Sequence, residues 1–470
     1  MSGLLARLRR LIELLKEGTP DLSTPEGRAA ERERRMFITV GASLGSKVIS
    51  LFVQFAVVGL LARHLGKLSY GVWATLVSLI GWLNLVQLGV GPSLINELSS
   101  LTSKDDRAEA RRFVATAWWV QMALALGIGV VAAVAWPFIP WGVIVNTSSP
   151  AMAEAAGLTA AVILGAALLR LPLSLLSTVF NAHQRGYIDA LWNAGAAVVT
   201  LAAVWFVTRE DAGMASVTLA QRSGPVLVAA VACFVVFRGA YRHLAPSPRF
   251  VRRREAKRLI GVGIHFTIAT VSATIINSTD NLVITQVIGP EAVTPYAVTF
   301  MLTQVANLVV MLLLNAAWPA YVEAAAHRDV AWLMRTHRRL SISAAVILFT
   351  SAAGILVLGR PFLAWWAGPE AVPSFALLSS IVLLSTVQGL FLCTGRLITA
   401  LGAVNITGWV GATNAVVNLA ASLVLAHYLG VVGVALGTVF GYVATGWVLF
   451  PIARKKLQEL SADGHGAVDH

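Results

Sequence analysis

Cysteine and charged residues are scarce in this chain. Both cysteines, Cys233 and Cys393, lie within apolar stretches, which excludes a disulfide framework or a cysteine-rich metal site. Charged residues make up 13% of the sequence, against about 25% in ordinary soluble domains, and hydrophobic residues make up 57%. The sequence contains no nucleotide-binding loop, zinc-protease motif or nucleophile elbow. We therefore predict neither an enzyme nor a bound cofactor.

Long apolar stretches, in contrast, recur along the whole chain. An α-helix needs about 20 apolar residues to cross the hydrocarbon core of a bilayer. Twelve stretches meet this length, so the sequence predicts an all-α polytopic membrane protein with about 12 transmembrane helices. The predicted spans are Met36–Ala62, Tyr70–Gly91, Phe113–Phe138, Ala155–Phe180, Tyr187–Thr208, Gly213–Phe237, Leu259–Ile288, Pro295–Trp318, Leu340–Leu358, Pro373–Leu397, Ile406–Leu429 and Val431–Ala453.

Positive charge is distributed unevenly around these spans. The net charge is +13, and 28 of the 36 Lys and Arg residues lie in segments on one side of the predicted membrane. Because Lys and Arg collect on the cytoplasmic side, the pattern predicts a multi-pass protein of the cytoplasmic (inner) membrane with both termini in the cytoplasm. The basic residues do not alternate with aromatic ones, so no nucleic-acid partner is expected. Membrane lipids are the expected surroundings.

The longest basic segment predicts a boundary between two halves. Residues 238–258 hold eight Lys and Arg and lie between the sixth and seventh spans. Two six-helix halves of parallel topology around a central cavity are one arrangement of secondary transporters. The predicted parts are an amphipathic and basic cytoplasmic segment (1–35), an N-terminal half (36–237), a cytoplasmic linker (238–258), a C-terminal half (259–453) and a cytoplasmic tail (454–470).

Four cations within the predicted spans are candidates for substrate binding: Lys47, Arg170, Arg222 and Arg396. A charge near the centre of a bilayer costs at least about 2.5 kcal/mol, so such residues are expected to face a cavity rather than lipid. If they share one cavity, its field favours an anionic substrate, and guanidinium groups suit phosphate. Arg396 lies near a cytoplasmic end and could instead extend to lipid headgroups.

The seventh span carries a second group of polar residues. Asp280 is the one clear carboxylate within the spans, Asn281 follows it, and His265 lies earlier in the same span. A structural role is open for each. Asp280 could pair with Arg170 or Arg222 between helices, and His265 could serve packing alone.

Four stretches of this sequence resemble the polysaccharide and O-antigen flippases. These proteins belong to the multidrug/oligosaccharidyl-lipid/polysaccharide exporter superfamily. The matching stretches occur in the family's order and are spread over most of the predicted spans. They are Leu61-Ala62-Arg63-His64-Leu65-Gly66 with Tyr70-Gly71-Val72-Trp73, then Leu88 to Glu97, then Thr279 to Ile284 with Ile288 to Val293 and Tyr296, and last Asn418-Leu419 with Leu429 to Ala435.

The resemblance implies a flippase that moves polyprenyl-diphosphate-linked oligosaccharide, a repeat unit of O-antigen, capsule or exopolysaccharide, from the inner to the outer leaflet. The four cations would then neutralise diphosphate. Asp280, with His265 and Asn281, would couple transport to H⁺ or Na⁺ or latch a closed state. A polysaccharide polymerase or assembly proteins are further expected partners, because they act in the same pathway. The family often has a basic residue where this chain has Asn281, and twelve spans argue against the fourteen-span lipid II branch.

Two other functions fit the sequence less well. A drug or small-cation exporter of the same superfamily would be expected to have acidic residues in its cavity, and this chain has few carboxylates within its spans. A membrane glycosyltransferase or polymerase acting on lipid-linked sugar usually needs acidic catalytic residues and a large extracytoplasmic loop. The longest predicted outer loop, between the third and fourth spans, is short.

Overall fold

The computed structural model describes residues 25–81, 90–103 and 106–465, and the side chains of 25–40, 262–278, 461–465 and a few single positions lie outside that description. The predicted N-terminal amphipathic segment therefore falls mostly outside the described residues. All long elements in the described part are helices. They are α1 (Pro25–Gly81), α2 (Val90–Ser103), α3 (Arg107–Ala135), α4 (Trp141–Ile144), α5 (Pro150–Leu173), α6 (Leu175–Ala182), α7 (Gly186–Val207), α8 (Met214–Arg238), α9 (Arg253–Val287), α10 (Val293–Ala326), α11 (Val330–Ala367), α12 (Phe375–Ala400), α13 (Val404–Leu429), α14 (Val431–Gly446) and α15 (Leu449–His465).

The predicted loop between the first two spans is not a loop. Helix α1 continues through residues 63–69, and only Gly66 leaves helical geometry, with φ 69° and ψ 178°. This left-handed region favours glycine because a Cβ would clash there. A single residue thus changes the direction of the chain, and α1 supplies two membrane crossings.

The number of crossings agrees with the predicted twelve. Ten helical segments of the described residues are long and apolar enough to span a bilayer. The first of these, Gly41–Gly81, contains two crossings joined at Gly66, so the ten segments supply eleven crossings. The 35-residue helix α9 is not among the ten and is long enough to supply the twelfth. The predicted fourth span is broken beside Pro172, where α5 ends and α6 begins. Proline explains this break, since it removes a backbone donor and crowds the preceding turn.

The two halves share one apolar core at one end of the bundle and have separate cores at the other. We call the end that contains the Gly66 turn the outer end, because the charge pattern predicts it to be extracytoplasmic, and the opposite end the inner end. Near the outer end, Leu61 of α1 and Ile284 of α9 belong to one buried cluster. Toward the inner end, Phe113 lies in a cluster of the N-terminal half that also takes in Leu259, whereas Leu348 lies in a separate cluster of the C-terminal half.

Close backbone contact and hydrogen bonds join the halves at the outer end. Gly71 of α1 lies so near Pro290 that an added Cβ would overlap the Pro290 carbonyl group. One turn deeper, the hydroxyls of Thr75 and Thr285 lie 2.5 Å apart. The outer end is therefore closed in this conformation.

We expect Gly71→Ala to disrupt this contact between the halves. The new methyl group has no room beside Pro290, and overpacking of this kind typically destabilises by about 1–3 kcal/mol. The measurement is the melting temperature of the purified protein in detergent, which should fall. Gly195→Ala is the matched control, because a methyl group added at Gly195 would meet no other atom within 4 Å. Equal melting of the Gly71 variant and the wild type would contradict the proposed contact.

Candidate functional site

A cavity of about 610 Å³ lies within the N-terminal half. Helices α1, α5, α7 and α8 form its walls, and Arg170 of α5 and Arg222 of α8 both line it. Its other polar groups come from Ser50, Gln54, Thr200, Gln221 and the Trp73 indole, and its remaining lining residues are mostly apolar. The two predicted arginines are thus brought together in one place.

The charge of this cavity is not compensated by the residues around it. None of its lining residues is acidic, and no ion pair joins Arg170 or Arg222 to a carboxylate in the described part of the chain. The Nε atom of Arg222 and the Oε1 atom of Gln221 are buried without a hydrogen-bond partner. Buried polar groups normally have partners, so these atoms are positioned for a ligand or ordered water.

Lys47 lies outside this group of arginines. Its side chain is exposed, and it is not among the residues that line the cavity. It precedes Ser50 by three positions and Gln54 by seven, so the three residues share one face of α1. This position is nearer the inner end of α1 than the cavity itself.

A second cavity, of about 580 Å³, lies in the C-terminal half between α10, α12, α13 and α14. Arg396 is the only charged residue among the described ones that line it, and the guanidinium carbon of Arg396 lies 5.7 Å from the Trp318 ring centroid. Asn307 and Asn414 each have a buried Oδ1 atom without a hydrogen-bond partner. The four predicted cations therefore do not share one cavity in this conformation. The lining of this second cavity is mostly apolar, and its polar groups are mainly amides and hydroxyls.

Asp280 takes part in a buried network of oxygen atoms rather than an ion pair. Its Oδ2 atom accepts hydrogen bonds from the Tyr296 hydroxyl at 2.6 Å and from the Thr438 hydroxyl at 3.2 Å. The Thr438 hydroxyl also lies 2.9 Å from Asn418 Oδ1, which accepts a hydrogen bond from Ser422 as well. The alternative pairing of Asp280 with Arg170 or Arg222 does not occur in this structure, because the arginines line the cavity of the other half.

This network borders a small pocket of about 110 Å³ that also shares Gln388 and Tyr442 with the C-terminal cavity. The pocket is large enough for a water molecule or a small cation. Glycines of α14 allow the network to form, because a Cβ at Gly437 would lie 2.5 Å from the Ser422 nitrogen of α13. Close helix approach of this kind brings Thr438 beside Asn418.

Asn281 faces the opposite half. Its Nδ2 group donates a 2.8 Å hydrogen bond to the hydroxyl of Ser78 on α1. Adjacent residues of α9 thus bind different halves, since Asp280 contacts α10 and α14. The side chain of His265, the third candidate of this span, lies outside the described residues.

Several residues of these sites are not distinguished by the sequence. Tyr296 stands out only as part of a motif, and Thr438, Gln388 and Tyr442 do not stand out at all. Single hydroxyl and amide groups on apolar helices give no periodic signal, and only the packing of α9 against α10 and α14 brings them to Asp280.

Comparisons with known proteins agree with this architecture. A "Putative O-antigen export protein" of Yersinia pseudotuberculosis is 37% identical over 62 residues, which cover 13% of this chain and 14% of that protein. The chain thus spans only a small part of that relative's length. The inward-facing structure of a multidrug resistance MATE family transporter of the MOP superfamily has a TM-score of 0.75 at 16% identity, covering 91% of this chain and 99% of that one. The inward closed structure of the lipid II flippase MurJ has a TM-score of 0.69 at 12% identity, covering 91% of this chain and 90% of that one.

These structures share the fold with this chain, which confirms the predicted two-half helical architecture. The match that identifies the family is a separate one. The model of the family described as "Polysaccharide biosynthesis protein" matches residues 39–325, more than half of the sequence. The predicted resemblance is therefore confirmed, and this multi-pass membrane protein belongs to the polysaccharide biosynthesis protein family.

Proposed function

We propose that this protein is a flippase that moves polyprenyl-diphosphate-linked oligosaccharide from the inner to the outer leaflet of the cytoplasmic membrane. The observation that carries the proposal is the N-terminal cavity, where Arg170 and Arg222 lie together and no described lining residue is acidic. A diphosphate would supply the missing negative charge. Guanidinium groups bind phosphate oxygens with two parallel hydrogen bonds, which gives both affinity and orientation.

The C-terminal cavity suits the sugar part of the same substrate. It offers amides at Gln304, Asn307, Gln388 and Asn414 and a hydroxyl at Tyr442, and Arg396 is the single charged group among its described lining residues. Sugar hydroxyls both donate and accept hydrogen bonds, as do these groups. The polyprenyl chain would stay in the bilayer, because transfer of a long hydrocarbon into a polar cavity is unfavourable.

Alternating access is the proposed mechanism. The outer end is closed by contacts between the halves, and their cores separate toward the inner end. The headgroup would enter from the cytoplasm in this conformation and leave after the outer contacts break. We place both termini in the cytoplasm, in accordance with the distribution of Lys and Arg.

Asp280 is the proposed coupling residue. Its carboxylate, the Thr438 hydroxyl and the Asn418 amide oxygen form a cluster of oxygens that can hold a proton or Na⁺. Binding of a proton or Na⁺ to this cluster would shift α9 relative to α10 and α14. Because Asn281 is the next residue, that shift would reach its hydrogen bond to Ser78 of the other half.

We expect Arg222→Gln to slow flipping by about 10- to 100-fold, because a hydrogen bond to a charged group contributes about 1.5–3 kcal/mol. The measurement is the flipping rate of a fluorescent polyprenyl-diphosphate sugar in proteoliposomes. Arg112→Gln is the matched control, since Arg112 is an exposed arginine that does not line the cavity.

An unchanged rate in Arg222→Gln would exclude the cationic cavity as the phosphate site. A wild-type protein that leaves the lipid-linked sugar unmoved but accumulates a cationic drug would identify a drug exporter instead.

We expect Asp280→Asn to abolish the response of flipping to an imposed H⁺ or Na⁺ gradient. The amide keeps the shape of the carboxylate and removes its charge. The hydrogen-bond network can therefore form, but it no longer attracts a proton or Na⁺. Flipping is measured in proteoliposomes with each gradient applied separately. Asp189→Asn is the control, because Asp189 also accepts a hydrogen bond from a hydroxyl, that of Ser177. A variant that keeps its full gradient response would rule out Asp280 as the coupling site.

A further inference from the structure

A third cavity lies at the inner end of the N-terminal half, away from the two cavities described above. It has a volume of about 460 Å³ and is built from three segments that are distant in sequence. These are the start of α3, the turn between α6 and α7, and the linker between α8 and α9. We call it the linker pocket. Its ionisable lining residues are Asp106, Arg107, His183, Arg185 and His243.

Basic groups dominate the linker pocket. Among the described lining residues, two arginines and two histidines face one acidic residue, Asp106. Its Oδ1 atom accepts a 3.0 Å hydrogen bond from the Glu109 backbone. Just beside the pocket, Arg111 stacks 4.0 Å from the Phe250 ring centroid, and its Nε atom is buried without a hydrogen-bond partner. The described lining residues of the pocket therefore include more basic than acidic groups, which favours an anion.

The basic side chains are held in place by their neighbours. The guanidinium carbon of Arg185 lies 5.9 Å from the Tyr241 ring centroid, and His183 packs edge-on against the same ring. His183 Nδ1 lies 2.8 Å from the Val179 carbonyl oxygen and donates to it, so Nε2 is the nitrogen that can face a ligand. Residues that are fixed before binding lose little entropy when they bind.

We propose that the linker pocket binds a phosphate group at the cytoplasmic face of the N-terminal half, independently of what the central cavities carry. The Arg185 guanidinium can bind two phosphate oxygens through parallel hydrogen bonds, and Arg107, His183 and His243 line the same pocket. A bound phosphate would also connect the linker to α3 and to the α6–α7 turn. The same chemistry is offered by the headgroup of an anionic phospholipid and by a soluble phosphoester.

Binding at this site should depend on pH. Partial desolvation of the imidazole, together with the positive charges of Arg107, His183 and Arg111, lowers the pKa of His243. A bound anion offsets these charges and favours the protonated imidazole, so binding takes up a proton and is stronger at pH 6 than at pH 8. The opposing carboxylate is Asp106, and Arg185 and Tyr241 complete the surroundings of His243.

The test uses two phosphodiesters whose own charge does not change between these pH values. One is dihexanoylphosphatidylglycerol, a short-chain lipid, and the other is glycerophosphoglycerol, its headgroup without acyl chains. Binding of each to the purified full-length protein in detergent is measured by calorimetry at pH 6 and pH 8. Tight binding of the lipid alone identifies a membrane headgroup as the source, and equal binding of both identifies a soluble phosphoester.

We expect Arg185→Gln to weaken binding about tenfold or more, and His243→Gln to reduce the pH dependence. Arg249→Gln is the matched control, because Arg249 is an exposed arginine of the same linker that does not line the pocket. It should change affinity less than twofold. His243 is exposed, so its variant is expected to fold normally. The proposal fails if the wild type binds neither compound, if Arg185→Gln binds as the wild type does, or if Arg249→Gln loses as much affinity.

Discussion

Contact between the two halves at the outer end is the constraint on which the rest of this structure depends. It combines the close approach of Gly71 to Pro290 with hydrogen bonds such as Thr75–Thr285 and Asn281–Ser78. Hydrogen bonds between membrane helices contribute about 0.6 kcal/mol each on average, so a handful of them stabilises the closed outer end by only a few kcal/mol. Binding that favours one state by about 5.5 kcal/mol can reverse a 99:1 population. The closure is thus strong enough to seal the outer side and weak enough to be reversed.

Helix α9 connects this closure with both halves. At its start, Arg258 Nε lies 2.7 Å from Glu97 Oε1 at the inner end of the N-terminal half. Near its end, Asp280 binds Tyr296 and Thr438 of the C-terminal half, and Asn281 binds Ser78 of the N-terminal half. One helix therefore contacts the N-terminal half near both of its ends and the C-terminal half near Asp280. A change at Asp280 cannot move α9 without affecting the contact that closes the outer end.

The sequence was sufficient for the spans and the two halves because apolar length and the distribution of Lys and Arg are local properties of the chain. It predicted a loop at residues 63–69 because Arg63, His64 and Lys67 make this segment polar, whereas only Gly66 leaves helical geometry there. It also grouped Arg396 with Arg170 and Arg222, although they line different cavities. Which cavity a side chain enters depends on the rotation of each helix, and helices that are apolar on all sides carry little periodicity to indicate that rotation.

The two halves present opposite electrostatic environments. In the N-terminal half, Arg170 and Arg222 are close together in a mostly apolar cavity, so an anion lowers the energy of the pair and a cation raises it. In the C-terminal half, the Asp280 carboxylate lies among neutral oxygens, where a proton or Na⁺ has the corresponding effect. An anionic headgroup and a coupling cation would therefore bind in different halves and would not compete. They would influence each other only through the contact between the halves, which is the element that alternating access must open and close.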